Sequence, residues 1–122
     1  MPTKERLEAF IGTCERGEFV EALQEFYAED ATMQENGQPA RVGLAALIEN
    51  ERRMLSRARF HVRRADSYVA QGDRVAINWV FELTIDGVGR VRMDEIAYQQ
   101  WRDGKIVRER FYYDPAQRNA AI

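Results

Sequence analysis

The chain has 122 residues, of which 45% are hydrophobic and 11% are aromatic. This length and composition predict a single globular domain over residues 1–122 and exclude a disordered chain. A net charge of −2 gives no general attraction for nucleic acid, and no apolar run approaches the length that spans a membrane. The single cysteine, Cys14, excludes an internal disulfide and a zinc site built on cysteines. Because no apolar run follows the amino terminus, we expect no signal peptide and a cytoplasmic protein.

Three helices are predicted in the first half of the chain. The first covers residues 3–15, with Thr3 as its cap, and the second covers about 18–28. A short strand and a turn at residues 36–39 precede the third helix, at about 44–56. Helical spacing predicts the buried faces, which are Leu7, Phe10, Ile11 and Cys14, then Phe19, Val20, Leu23, Phe26 and Tyr27, then Leu44, Leu47, Ile48, Glu51 and Leu55.

Residues 52–64 contain six arginines and the only histidine, His61. Two interpretations fit this stretch: a basic patch for an anionic ligand, or solvated faces balanced by the acidic first third of the chain. We favour the solvated faces. His61 lacks the clustered partners of a metal site or a serine-type triad.

The second half of the chain is predicted to consist of strands. Residues 60–70 and 75–85 form the first two around a turn at 71–73. Strict alternation predicts one apolar face made of Val75, Ile77, Trp79, Phe81, Leu83 and Ile85.

The turn at residues 86–89 decides which polar side chains meet. If Ile85 pairs with Arg90, Val80 lies opposite Glu95, and Asn78 lies opposite Ala97. The side chains that then share the second face are Asn78, Glu82, Glu95 and Gln99.

A long hairpin over residues 93–114 is expected to form the middle of the sheet. It folds back at 102–104, where an Asp-Gly step separates β-branched and aromatic runs. A two-residue turn would place Arg108, Arg110 and Tyr112 on the Glu95 face, whereas a three-residue turn with a bulge at Gly104 would place Glu109, Phe111 and Tyr113 there. After Asp114-Pro115 the tail is expected to fray. Helices followed by long strands predict an α+β fold, a bent antiparallel sheet with helices on one side.

This order of elements resembles the NTF2-like superfamily, and within it the SnoaL-like and ketosteroid-isomerase-like branch. The similarity rests on the segment Phe26-Tyr-Ala-Glu-Asp-Ala-Thr-Met33 and on Arg102-Asp-Gly-Lys-Ile106 with Tyr113-Asp-Pro115, and covers about residues 5–117. The resemblance implies a cone in which helices close the concave face of the sheet over a pocket. Such proteins include isomerases, polyketide cyclases, epoxide hydrolases, dehydratases and binding modules, so the fold does not decide the chemistry.

The resemblance also implies a position for a general base. In ketosteroid isomerases a carboxylate five residues after the last Asp of the signature segment has this role, which here corresponds to Glu35. The isomerase tyrosine and neutral acid correspond to Phe10 and Ala97, so that oxyanion hole is missing. The Arg and two Asp of the limonene-epoxide-hydrolase type correspond to Asn78, Val80 and Phe111, so that machinery is missing too.

The chain has its own polar set instead. Family members favour the bulged turn, which we adopt, and the residues expected inside the cone are then Asn78, Glu82, Glu95, Gln99, Glu109 and Tyr113, with Glu35 at the rim. Several acids in one dry pocket repel, so at least one should have a raised pKa and act as an acid or base near neutral pH. In the alternative interpretation the Trp79 face packs on the helices, and Asn78, Glu82 and Glu95 lie in water.

These features predict an isomerase, cyclase or hydrolase that uses acid–base carboxylates, or else a ligand-binding module without turnover. Glu35 is the candidate base, and Glu95 or Glu109 the neutral acid that donates a hydrogen bond. Asn78, Glu82 and Gln99 would contact the substrate, and Trp101, Phe111 and Tyr113 favour an apolar, cyclic one. We expect no cofactor and no metal, and no nucleic-acid or membrane partner. A homodimer is expected to form through the apolar face of residues 75–85.

Overall fold

The computed structural model describes all residues, Met1–Ile122. Its helices are α1 (Lys4–Glu15), α2 (Phe19–Phe26) and α3 (Leu44–Leu55), with a 3-10 helix at Pro115–Asn119. Its strands are β1 (Tyr27–Glu35), β2 (Arg41–Val42), β3 (Ala58–Gln71), β4 (Arg74–Ile85), β5 (Gly89–Arg102) and β6 (Lys105–Tyr112). No helix is long and apolar enough to cross a membrane.

One sheet contains all six strands in the order β2-β1-β6-β5-β4-β3, which confirms the α+β prediction. The predicted hairpin, β5 and β6, lies in its middle. All neighbouring strands are antiparallel except β1 and β6, which run parallel, so the sheet is mixed. The parallel pair arises because the first strand lies beside the last strand, far away in sequence, rather than beside a hairpin partner.

Two of the three helices, α1 and α3, have boundaries close to the predicted ones. The Thr3 hydroxyl accepts a hydrogen bond from the Arg6 backbone N–H at 3.0 Å, and the predicted stripe of α1 is buried. The second helix ends earlier than expected, because Tyr27 already belongs to β1, where it pairs with Ile106. Tyr27 is nevertheless buried, as the helical interpretation also required.

The turn of the central hairpin differs from the expected one, but the side chains of β6 lie on the faces that were predicted. Asp103 and Gly104, with φ of 53° and 74°, form a two-residue turn in the left-handed region, so the predicted bulge at Gly104 is wrong. The bulge lies instead at Val107 of β6. The pairing register shifts by one residue between Trp101 and Gln100, which leaves Val107 without a partner on β5. Because of this shift, Glu109 lies opposite Gln99, so its side chain is on the face that the bulged turn predicted.

The register between β4 and β5 corrects the sequence analysis. Ile85 pairs with Gly89 rather than with Arg90, because the turn is one residue shorter than expected. A shift of one residue reverses the faces, so Glu95 lies opposite Trp79 instead of Val80. The predicted common face of Asn78, Glu82, Glu95 and Gln99 is therefore wrong: Asn78 and Glu82 lie on the outer face, and Glu95 and Gln99 lie on the inner one.

The helices pack against the inner face, and the main core includes Val75, Ile77 and Trp79 from β4. This apolar face is therefore buried inside the subunit, and the prediction that it forms a dimer interface is wrong. The alternative interpretation was correct in packing Trp79 on the helices, but wrong in assigning Glu95 to the opposite face.

Candidate functional site

A chain of buried hydrogen bonds joins three strands on the inner face. The Trp101 indole N–H donates to Gln99 Oε1 at 2.9 Å, and the Gln99 amide donates to Glu109 Oε2 at 2.6 Å. The Tyr27 hydroxyl donates to the other carboxylate oxygen of Glu109. Gln99 and Glu109 are only 1% and 2% exposed. The indole fixes the orientation of the amide, and the amide and phenol together fix the carboxylate.

Burial raises the pKa of Glu109 to about 7, although the hydrogen bonds from Gln99 and Tyr27 lower it. Burial and the nearby Glu109 carboxylate raise the pKa of the Tyr27 phenol, which keeps it protonated as a donor. Both oxygens of Glu109 already have protein donors. This geometry makes Glu109 an anchored, internal acid rather than a group free to contact a ligand.

Glu35 ends β1 and lies beside Phe111 of β6. Its Oε1 accepts hydrogen bonds from the Tyr113 hydroxyl and from Arg118, each at 2.9 Å, and its Oε2 lies 3.3 Å from Arg41. Burial and the bond to Glu35 raise the pKa of Tyr113 to about 12. Two guanidinium groups and a phenol therefore converge on this carboxylate.

Glu95 is in a different environment, partly buried on the inner face opposite Trp79. Burial raises its pKa to about 7, and the neighbouring carboxylates Glu35, Glu109 and Glu51 add to the rise, whereas Arg118 lowers it. Glu95 therefore changes its charge near neutral pH, while Glu35 is surrounded by donors. Two carboxylates in unlike environments can take different roles in proton transfer.

Aromatic rings surround this part of the inner face. The Trp79 and Phe81 rings are stacked with centroids 5.5 Å apart, and Phe60 lies edge-on to Phe81, also at 5.5 Å. Phe19 of α2 packs 5.1 Å from Phe60. Tyr113 packs against a smaller apolar cluster formed by Leu83, Val91 and Met93. The carboxylates are thus set in an apolar and aromatic surface.

The structure brings together most, but not all, of the side chains selected from the sequence. Those on the inner face are Glu95, Gln99, Trp101, Glu109 and Phe111, with Glu35 and Tyr113 bonded to each other beside them. Asn78 lies opposite Ile96 on the outer face, and Glu82 on that face pairs with Arg90 at 3.2 Å. His61 is exposed, with Nε2 2.7 Å from the Thr84 hydroxyl. No group of three His, Cys, Asp or Glu side chains has an arrangement that could hold a metal ion.

Two residues near the site, Arg118 and Glu51, are not among the functional residues predicted from the sequence. Arg118 lies in the tail that was expected to fray, but the Gln117 side chain accepts the Asp94 backbone N–H at 2.8 Å, and Ile122 bonds to Arg90. Asp114 followed by proline is a helix-start signal that could have predicted this 3-10 helix. Glu51, a carboxylate within the apolar stripe of α3, is the second; its position among leucines is the signal for it.

A family model of the SnoaL-like domain matches residues 7–109. A candidate SnoaL-like polyketide cyclase from Mesorhizobium loti is 26% identical, with a TM-score of 0.84 over 93% of this chain and 100% of the other. A candidate polyketide cyclase from Xanthomonas campestris is 25% identical, with a TM-score of 0.81 over 94% and 92%. An epoxide hydrolase of the LEH type from M. tuberculosis shares the fold at 22% identity, with a TM-score of 0.75 over 93% and 83%. No curated protein sequence matches the chain.

Proposed function

Because this chain belongs to the SnoaL-like domain family, and because carboxylates in unlike environments lie near one another at its inner sheet face, we propose that it is a cofactor-independent acid–base enzyme. Its reaction is of the isomerase, cyclase or hydrolase type, on an apolar, cyclic small molecule held between the helices and the sheet. The observation that carries this proposal is the contrast between Glu35, bonded by three donors, and Glu95, whose pKa is raised to about 7. Carboxylates in such different environments can take different roles in proton transfer.

Glu35 is the proposed general base. It lies at the end of a strand, where it is partly exposed, and it takes a proton from a carbon or from a water molecule. Tyr113 and Arg118 hold its orientation through Oε1. A positioned base of this kind contributes roughly 10²–10⁴-fold to a rate.

Glu95 is the proposed neutral acid, in preference to Glu109. Both oxygens of Glu109 are occupied by Tyr27 and Gln99, whereas no hydrogen bond contributes to the environment of Glu95. A protonated Glu95 donates a hydrogen bond to the substrate oxygen on which charge develops. Glu109 is the third acid of the proposed set, and its charge raises the pKa of Glu95 without contact with the substrate.

Contact with the substrate falls mainly to Phe111 and Tyr113, which are partly exposed. Trp101 and Gln99 are almost fully buried and bonded to each other, so their proposed role is to position Glu109. Aromatic rings favour an apolar ring system as the ligand. The similarity to the Mesorhizobium loti candidate polyketide cyclase supports a reaction that involves a ring system.

A ligand-binding module without turnover is the second candidate, and the contacts of Glu35 favour it. A carboxylate that already accepts from Tyr113, Arg118 and Arg41 must give up part of this bonding before it can take a proton. The two candidates differ in whether bound ligand exchanges its protons.

A homodimer through the outer face of the sheet is proposed in place of the buried β4 face. Ile96, Tyr98 and Tyr112 are large apolar residues there, exposed by 38%, 42% and 42%. A depression of about 110 Å³ lies on this face between Tyr98 and Tyr112, away from the inner carboxylates. Exposed apolar side chains that form a patch are typical of an interface between subunits.

Deuterium incorporation from D₂O into cyclohex-2-enone, followed by proton NMR, tests the enzyme proposal. This probe is a small cyclic carbonyl compound with exchangeable C–H groups. The enzyme is expected to exchange them faster than a buffer of equal carboxylate concentration. Saturable binding of the probe without any exchange would instead support the binding module.

A further inference from the structure

Glu51 has one carboxylate oxygen, Oε2, that is buried and has no hydrogen-bond partner in the protein. It lies on α3, in the same helical stripe as Leu44, Leu47 and Ile48, which pack into the core. Nearly all buried polar atoms in proteins have a partner, so an exception of this kind calls for a physical explanation. A buried acid without a partner also costs stability.

The charged groups that raise the pKa of Glu51 are both carboxylates. The charges of Glu109 on β6 and Glu35 on β1 raise the pKa of Glu51. The charge of Glu51 in turn raises the pKa of three nearby groups, which are Cys14 of α1, Tyr27 of β1 and Glu95 of β5. No arginine or lysine contributes to its environment. Burial and the two carboxylates raise the pKa of Glu51 to about 7, so a large fraction of this side chain is protonated in neutral solution.

The position of Glu51 complements that of the sheet carboxylates. α3 belongs to the helix layer and contacts β1 and β3, whereas Glu95 lies on the central strand β5. The two side chains are near each other, since the charge of Glu51 adds to the rise in the pKa of Glu95. A ligand held between the two layers would then meet Glu95 from the sheet and Glu51 from the helices. Two donors from opposite walls can hold one carbonyl oxygen.

We propose that Glu51 Oε2 carries the proton that a bound carbonyl ligand accepts, which makes Glu51 a further catalytic residue. This inference rests on the acid–base function proposed above. In the forward step Glu35 takes a proton from the carbon beside the carbonyl, and the C–H electron pair forms a C=C bond. The carbonyl π pair moves to oxygen, which takes the proton of Glu51 to give an enol. In the return step the enol proton goes back to Glu51, and Glu35 gives its proton to carbon, so atoms and charges balance without an oxidant or reductant.

The competing explanation is that Glu51 only fills space on α3. Glu51→Leu removes the proton and keeps an apolar filling, and Glu51→Gln keeps a hydrogen-bond donor but has no acidic proton to transfer. Glu49→Gln is the matched control, since Glu49 lies on the same helix with an exposed side chain. Circular dichroism and thermal unfolding establish that each variant is folded.

The infrared C=O band of cyclohex-2-enone, labelled with ¹³C at the carbonyl, reports hydrogen bonding to the bound probe without requiring turnover. The band is expected at lower frequency in the wild type and in Glu49→Gln than in Glu51→Leu. In the deuterium exchange assay Glu51→Gln is expected to lower kcat by roughly 10²-fold with little change in KM, as for the loss of one oxyanion donor.

An identical band position in the wild type and in Glu51→Leu, or no bound band at all, would overturn the inference. If the band depends on Glu51 but the wild type exchanges no deuterium, Glu51 stands as the ligand's donor and the proposed enzyme fails. If exchange occurs and neither Glu51 variant changes the band or kcat, the enzyme stands and the inference about Glu51 fails.

Discussion

Gln99 and Glu109 lie directly opposite each other on β5 and β6, and the Gln99 amide donates to the Glu109 carboxylate at 2.6 Å. This pair is buried, and its other partners, Trp101 and Tyr27, come from β5 and from the start of β1. Because β1 runs parallel to β6, the first strand of the chain supplies the donor that completes the coordination of an acid on the last strand. The interior of the domain is thus organised around a carboxylic acid.

The Tyr27 hydroxyl is predicted to stabilise the fold most strongly when Glu109 is ionised. Tyr27→Phe removes one donor from a buried carboxylate, so the free energy of unfolding should fall by about 1–3 kcal/mol above pH 7 and by less in acid. Urea unfolding at both pH values measures the difference. Tyr98→Phe is the control, because Tyr98 is 42% exposed. Equal losses at both pH values would contradict a role for the ionised acid.

Glu95 is predicted to destabilise the fold at neutral and alkaline pH. Its pKa is about 7 in the folded protein against an ordinary value of 4.5, so the folded state binds the proton more tightly. The stabilisation is complete below about pH 4.5 and is lost as pH rises through about 7. Glu95→Gln should therefore be more stable than the wild type at about pH 8, by at most about 3 kcal/mol. Asp94→Asn, on the exposed face of the same strand, is the control, and a Glu95→Gln variant that loses stability at alkaline pH would refute the assignment.

Arg118 is predicted to control the titration of Glu95. Its guanidinium lowers the pKa of Glu95, against the larger effect of burial. Arg118→Gln should consequently raise the pKa of Glu95 further, and NMR titration of ¹³C-labelled glutamate side chains measures the change. The effect on stability should stay below about 1 kcal/mol, because the Arg118 side chain is 43% exposed in its ion pair with Glu35. Arg108→Gln, at an exposed position on β6, should leave the titration unchanged.

The outer face is predicted to hold two subunits together. Tyr98→Asp replaces an exposed aromatic ring of that face with a charged side chain and should convert a dimer into a monomer, as measured by light scattering. Val42→Asp is the control, since Val42 is 68% exposed on the edge strand β2. A wild-type protein that is monomeric at micromolar concentration would contradict the proposed dimer.

Local signals in the sequence predicted the elements of the fold well. The cap at Thr3, the stripe that includes Leu7 and Phe10, and the Asp103-Gly104 turn each depend on neighbours within a few residues. Local signals could not predict which side chains of β4 and β5 share a face of the sheet. This depends on whether Ile85 pairs with Gly89 or with Arg90, and a single step reverses every side chain.

The candidate site was harder to predict than the fold for a related reason. The sequence correctly predicts that Glu95 and Gln99 lie in the interior. It wrongly predicts Asn78 and Glu82 on the same face, because that depends on the pairing register between β4 and β5. The role inferred for Glu51 depends on carboxylates contributed by β1 and β6, which are distant in sequence. Periodicity shows only that Glu51 lies on the buried stripe of a helix.

The central claim, that Glu35 is the general base of an enzyme, is tested most directly by Glu35→Gln. The measurement is the kcat for deuterium incorporation into cyclohex-2-enone, with Glu29→Gln as the control at an exposed position on the same strand. Glu35→Gln should lower kcat by roughly 10²–10⁴-fold while the fold and the binding of the probe are retained, and Glu29→Gln should match the wild type. Full activity of Glu35→Gln, with activity lost in Glu95→Gln or Glu109→Gln, would contradict the assignment of the base.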